Sequence, residues 1–167
     1  MVQPIFTSAA QFSHPSSAQP YPLHELIDKD QLTENELKQN RSAIENEKEK
    51  VTPLLHALTT KKFDAAKVLI EGFANVRAID GVTGETCLHL ACESQNASMV
   101  KLLLIYGADV NVKASGMTPL FQAAQLGNAE IVRMLLEYLP RCNELNGPNN
   151  DTTALDAACF HGFKEVA

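Results

Sequence analysis

The sequence predicts an all-α fold, a solenoid of stacked helix-turn-helix units with hairpin-like loops, preceded by a disordered N-terminal tail. Thr52, Thr86, Thr118 and Thr153 each open a similar phrase, "TPLLHAL", "TCLHLAC", "TPLFQAA" and "TALDAAC", at separations of 34, 32 and 35 residues. Each complete unit then carries a second apolar stretch, "AAKVLI", "MVKLLLIYGADV" or "EIVRMLLEYL", followed by a polar, loop-like segment. Self-similarity at this period marks a stacked array, in which each unit buries the face its neighbour offers.

The elements follow in order. Residues 1–20 contain no Asp, Glu, Lys or Arg and are rich in Ser, Pro, Gln and Ala, with neither helical nor strand periodicity, so a disordered tail is expected. A short motif around Ile5, Phe6 and Phe12 that orders on a partner is the alternative. Residues 21–50 are charged and helix-favouring, with sparse apolar positions at Leu23, Leu26, Ile27, Leu32, Leu37 and Ile44. "PLHEL" echoes the repeat opening, so this segment reads as an atypical N-terminal capping repeat of the 21–167 domain. Full repeats are expected over 51–82, 83–115 and 116–150, and a partial one over 151–167. The last unit stops before its second apolar run. The chain is therefore expected to be a fragment, or to meet another protein surface at its open end.

Within a unit, each Thr sits where a helix N-cap is wanted, and Pro53 and Pro119 follow at the first helical position, where a missing N–H costs nothing. Leu54, Leu88, Leu120 and Leu155 should point inward, and the small Ala57, Ala91, Ala123 and Ala158 should let helices approach closely. Val68, Leu69, Val100, Leu103, Val132, Leu135 and Leu136 should form the apolar face of the second helices. Gly127 and Gly162 fall just past a first helix, where a left-handed backbone suits Gly. Lys61 and Gln95 hold the matching positions, so those turns should be relaxed or strained. Phe73 and Leu139 replace the Gly107 that closes a second helix. A left-handed conformation costs a non-Gly residue about 1–2 kcal/mol, so both turns are expected to deviate.

Composition excludes several function classes. A formal net charge of −6 argues against nucleic acid or anionic membrane as the main partner, since both reward a basic face. No apolar run approaches the roughly 20 residues needed to span a bilayer, and the N-terminus lacks the pattern of a secretory signal. A cytoplasmic location, intracellular and reducing, is expected, with the four cysteines kept as thiols.

"GETCLHLACESQNASMVKLLLIYGADVNV" is similar to the ankyrin repeat pattern, a Gly-x-Thr-Pro-Leu-His-x-Ala-Ala opening and a Leu-Leu-x-x-Gly-Ala-x-Val-Asn close. It departs at Cys87, Cys92 and Gln95. The resemblance covers residue 21 to the end. It implies that His89 occupies a recurrent His position that bonds to backbone and steadies the loop, with Cys87 and Cys92 filling small-residue positions. A structural zinc site needs four converging ligands, and no second pair lies near. Cys92 and Cys159, two repeats apart, should stand about 16–20 Å from one another at ordinary helix spacing. No metal and no cofactor are expected. Asp156, Cys159 and His161 lie on one helix without a cleft or oxyanion hole, so catalysis is not expected either. Asn111, after Gly-Ala-Asp-Val, resembles in context the asparagines that an asparaginyl hydroxylase modifies in some ankyrin proteins. Its ordinary role is loop bonding.

Ankyrin families bind partners through loop tips and the exposed face of the first helices. The resemblance therefore implies a protein-binding set of Thr59, Thr60, Glu93, Ser94, Gln125, Leu126, Phe160 and His161 on the helices. The tips add Arg77, Ile79, Asp80, Val82, Lys113, Ser115, Met117, Asn149 and Asn150. Ile79, Met117, Leu126 and Phe160 are apolar at positions the architecture should expose, as at many binding surfaces. The connections before Thr86 and Thr153 exceed that before Thr118 by two to three residues, and insertions in solenoids map to a face that often binds. The expected function is a non-catalytic protein-protein interaction module or adaptor. It would bind a protein partner on the concave face, with no nucleic acid, membrane insertion or small-molecule substrate. The alternative is the targeting domain of a larger enzyme or effector whose active region lies beyond residue 167.

Overall fold

The computed structural model describes residues 23–40 and 51–138. Expectations about residues 1–20, Ile44, Leu139 and Asn149, Asn150 and the residues from Thr153 onward, Phe160 and His161 included, lie outside the described residues. Eight helices are described: α1 Leu23–Asp28, α2 Glu34–Gln39, α3 Pro53–Thr59, α4 Phe63–Glu71, α5 Cys87–Glu93, α6 Ala97–Ile105, α7 Pro119–Gln125 and α8 Ala129–Glu137. They form two layers. Helices α1, α3, α5 and α7 pack in succession as one row and α2, α4, α6 and α8 as the other, each helix of α3–α8 also packing on its own partner. The stack of helix pairs predicted by the repeat is present.

The threonines set the register. Thr52, Thr86 and Thr118 are buried, extended N-caps whose side chains accept the N–H of Leu55, His89 and Phe121, with Pro53 and Pro119 at the helix start. Such caps contribute about 1 kcal/mol each. Asn96 and Asn128 cap α6 and α8 in the same way, accepting from the N–H of Met99 and Ile131 at 3.0 and 3.1 Å. Thr33 and Glu36 form a capping box on α2.

Leu54, Leu88 and Leu120 are buried, as are Ala57, Ala91 and Ala123, which leave no side-chain bulk between neighbouring helices. A single core runs from Leu23 through Leu135 and takes in residues of every helix. No unit could hide its apolar face alone, so stability resides in the interfaces between units. Leu136 differs from expectation. It is 50% exposed, while Val132 and Leu135 carry the buried face of α8.

The turns depart furthest from the sequence reading. Lys61, Gln95 and Gly127 have φ of 58°, 54° and 74°, and Asp30 after α1 has φ of 53°. In each turn that residue's N–H reaches the carbonyl three residues back, and the next N–H reaches the one five back, as in Lys62 to Ala57 at 2.8 Å and Gln31 to Leu26 at 2.9 Å. This closes the helix C-terminus on its own orphan carbonyls. Phe73 does not deviate as expected. With φ of 67° it reproduces the Gly107 turn, bonding to Ile70 at 3.0 Å while Ala74 bonds to Leu69. Packing on both sides fixes the path of the chain and overrides a conformational preference of about 1–2 kcal/mol.

Candidate protein-binding surface

A hairpin-like tip precedes each of α5 and α7, and the two tips differ in length. In the short one Ala114 and Met117 exchange N–H···O bonds at 2.9 Å across Ser115 and Gly116, both with positive φ (50° and 82°). This is the geometry of a two-residue hairpin turn that follows the twist of its flanks. In the long one Asp80 donates to the Glu85 carbonyl at 2.7 Å, and Gly81, Val82, Thr83 and Gly84 lie between. The two additional residues thus fall at the tip itself.

Asp80 organises this longer loop. Its Oδ1 accepts the N–H of Val82 at 2.7 Å and of Thr83 at 3.0 Å, and Thr83 Oγ1 accepts from Glu85 N–H. Short Asp side chains favour such local bonds in turns. The bonds hold Val82 and Ile79 out in solvent at 78% and 54% exposure.

His89 ties one repeat to the next. Its imidazole is buried, with Nε2 3.0 Å from the Met117 carbonyl and Nδ1 2.8 Å from Thr86 Oγ1. A carbonyl only accepts, so Nε2 carries the proton and Nδ1 receives the threonine hydroxyl. Burial pushes the imidazole below its ordinary value, and the bond to Met117 opposes that shift. His24 makes the equivalent link from α1 to the Val51 carbonyl at 3.0 Å. Arg77 adds a further tie, its Nε donating to the Gly107 carbonyl at 2.9 Å.

The remaining sequence candidates divide by environment. Thr59, Thr60, Glu93, Gln125 and Ser115 are exposed, whereas Ser94, Asp80 and Lys113 are half-buried. The hydroxyls of Thr59, Thr60 and Ser94 donate to carbonyls of their own helices. Met117 and Leu126 are half-buried, not exposed as expected. Met117 is held down by its hairpin bonds and by His89. Leu126 is the C-cap of α7, where a side chain folds back over the preceding turn.

Between the two tips lies an open groove of about 380 Å³, with Val82 and Thr83 on one wall, Ser115 and Met117 on the other, and Glu85 and Gln122 lining it too. Sequence reasoning missed these last two. Glu85 precedes a capping Thr, and Gln122 sits four residues beyond another, where the preceding repeat has Leu90. The Glu85 carboxyl is raised by burial first, then by Glu93, with Asp80 adding to the rise and Thr83 opposing it. Gln122 Oε1 is buried without a hydrogen-bond partner. Phe73, 75% exposed on the outer layer, was also missed as a surface residue.

Cys87 and Cys92 are buried and take part in no disulfide. Burial pushes Cys92 up to about 12, so its nucleophilic thiolate is suppressed. Among the described residues no three His, Cys, Asp or Glu side chains converge as a metal site, and no helix is long and apolar enough to cross a membrane.

Comparison with known proteins agrees with this geometry. The family model described as ankyrin repeats (3 copies) matches residues 23–114 and 110–167. The chain is 46% identical over 97 residues to the Ankyrin repeat and LEM domain-containing protein 1 homolog of Caenorhabditis elegans, covering 58% of the chain and 13% of that protein. It is 39% identical over 88 residues to BRCA1-associated RING domain protein 1 of the same organism, covering 49% of the chain and 12% of that protein. It is 33% identical over 79 residues to NF-kappa-B inhibitor cactus of Drosophila melanogaster, covering 46% and 16%. The chain thus spans less than a fifth of the length of these relatives. Threonine-capped helix pairs, a histidine reaching into the following hairpin and the family match along residues 23–167 place this chain in the ankyrin repeat family, whose repeats are generally non-catalytic protein-protein interaction modules.

Proposed function

We propose that the chain is an adaptor module that captures a protein partner on the face formed by its hairpin tips and the exposed side of α3, α5 and α7. The observation that carries this reading is the longer tip before Thr86, which holds Ile79 and Val82 at 54% and 78% exposure beside a groove. Large apolar groups held in water by an ordered loop contribute nothing to folding and favour association when covered. The double variant I79S/V82S tests it. Proteins retained by the native chain in affinity capture should be lost from the variant, with far-UV circular dichroism and urea midpoint unchanged. Equal capture by both would refute the surface.

A second reading is favoured by chain coverage. The match spans 12% and 13% of the two Caenorhabditis elegans relatives, as a module that directs a larger enzyme or effector to its target would. Fusing residues 21–167 to an inert reporter and finding that it co-localises with the full-length product would support that role.

A further inference from the structure

Resting on the protein-binding reading above, we infer that the groove between the two tips receives an extended segment of the partner carrying a lysine or arginine next to an apolar residue. The cation would lie against Glu85 in the groove that Gln122 also lines, and the apolar side chain against Val82.

Charge is the first argument. Glu85 lines the groove half-buried, and burial, then Glu93, with Asp80 adding to the same field, disfavours ionisation of its carboxyl. Asp80 is committed to the N–H groups of Val82 and Thr83, whereas among the described residues neither Glu85 nor Glu93 forms an ion pair with Lys or Arg. The Arg77 guanidinium is turned to the Gly107 carbonyl. A half-buried carboxylate in a field of like charge is stabilised by an entering ammonium or guanidinium. The net charge of −6 draws a basic segment toward the chain and repels phosphate.

Hydrogen bonding is the second, independent argument. Gln122 Oε1 is a buried acceptor without a donor, on a residue that lines the groove. Such an atom costs free energy until something donates to it. Rotation about the terminal torsion of Gln is soft, so a small turn presents the oxygen to a donor entering from the groove. Lys brings three donors and Arg five. The apolar wall follows from Val82 and Met117, which line the same groove.

The test uses the full chain and a phage-displayed library of random dodecapeptides. Enriched sequences should carry Lys or Arg adjacent to an aliphatic or aromatic residue. For the tightest synthetic peptide, replacing that basic residue with Gln should weaken binding at least tenfold, with affinity falling as salt is raised. E85Q/E93Q should lose at least tenfold toward the basic peptide and none toward the neutral one. Q122L should bind several-fold more weakly while folding at least as stably as the native chain. I79S/V82S should weaken both peptides. Enrichment without basic residues, or indifference to E85Q/E93Q, would overturn the cation assignment while leaving the groove as a binding surface. Binding unaffected by I79S/V82S would overturn the surface itself, and failure to enrich any sequence would count against both.

Discussion

The Nε2 nitrogen of His89 donates to the carbonyl oxygen of Met117 at 3.0 Å, so a buried side chain in one repeat holds the hairpin that opens the next. His24 stands in the same relation to Val51. The two bonds have matching geometry although the segments that carry them differ greatly in composition. Removing His89 leaves the Met117 carbonyl short of a donor and opens a cavity. H89A is expected to cost about 2–4 kcal/mol, read as a lower urea midpoint at unchanged slope. H24A should follow the same pattern at the N-terminal end.

The same imidazole makes stability depend on pH. Burial keeps the folded His89 below its ordinary value of 6.5, while the unfolded chain takes up a proton near that value. Between the lower folded value and 6.5 the unfolded state therefore binds more protons, and stability falls as pH falls. Urea midpoints should decline from pH 7.5 to pH 5. The decline should be shallower in H89Q, which keeps a donor and does not titrate.

Much of this architecture is legible in the sequence because it rests on spacing. The Thr52, Thr86 and Thr118 caps, the inward leucines and the small alanines all recur at one period, and periodicity survives without knowledge of tertiary contacts. The turn at Phe73 was not legible, because local preference opposes a φ of 67°, and at Gln95 the sequence left a relaxed and a strained turn both open where packing of the flanking helices fixes a φ of 54°. Asn96 and Asn128 carry a visible capping signal that passes unnoticed beside the stronger threonine pattern. The groove at Glu85 and Gln122 depends on how far apart two hairpins stand, a distance no single repeat encodes. The half-burial of Met117 has the same origin.

Those two turns store strain that glycine would release. Q95G restores the residue of the family pattern, and F73G removes a side chain that is 75% exposed and packs little. Each should raise stability by about 0.5–1 kcal/mol, the left-handed penalty less the greater entropy of glycine in the unfolded chain. Thermal and urea unfolding of the single and double variants check this. Destabilisation by F73G would show that the exposed ring makes contacts worth more than the strain.

Cys92 gives a probe of repeat opening. It is buried, and with its thiol pushed up to about 12 it offers almost no thiolate at neutral pH. N-ethylmaleimide should therefore label Cys92 only as fast as the stack opens, followed by peptide mass spectrometry across a urea series. Rapid labelling in native buffer would contradict the packing described between α5 and its neighbours.

Gly72 tests how firmly α2 is held. A Cβ at this position would clash with Leu37 Cδ2 and lie 3.3 Å from Leu37 Cγ and 3.2 Å from the Val68 carbonyl oxygen. Leu37 is buried and belongs to the core shared with α4, so displacing it gives up packing even though a cavity adjoins both residues. G72A is expected to cost about 1–3 kcal/mol by overpacking. L37A alone should cost about 2–4 kcal/mol through lost burial and a cavity. In the double variant the added methyl occupies space the leucine has vacated, so the combined loss should fall short of the sum by at least 1 kcal/mol. Hydrogen exchange should localise the G72A effect to α1 and α2 while α5 to α8 keep native protection. Additive losses, or loosening spread evenly along the stack, would mean that α2 does not lock onto the array through this contact.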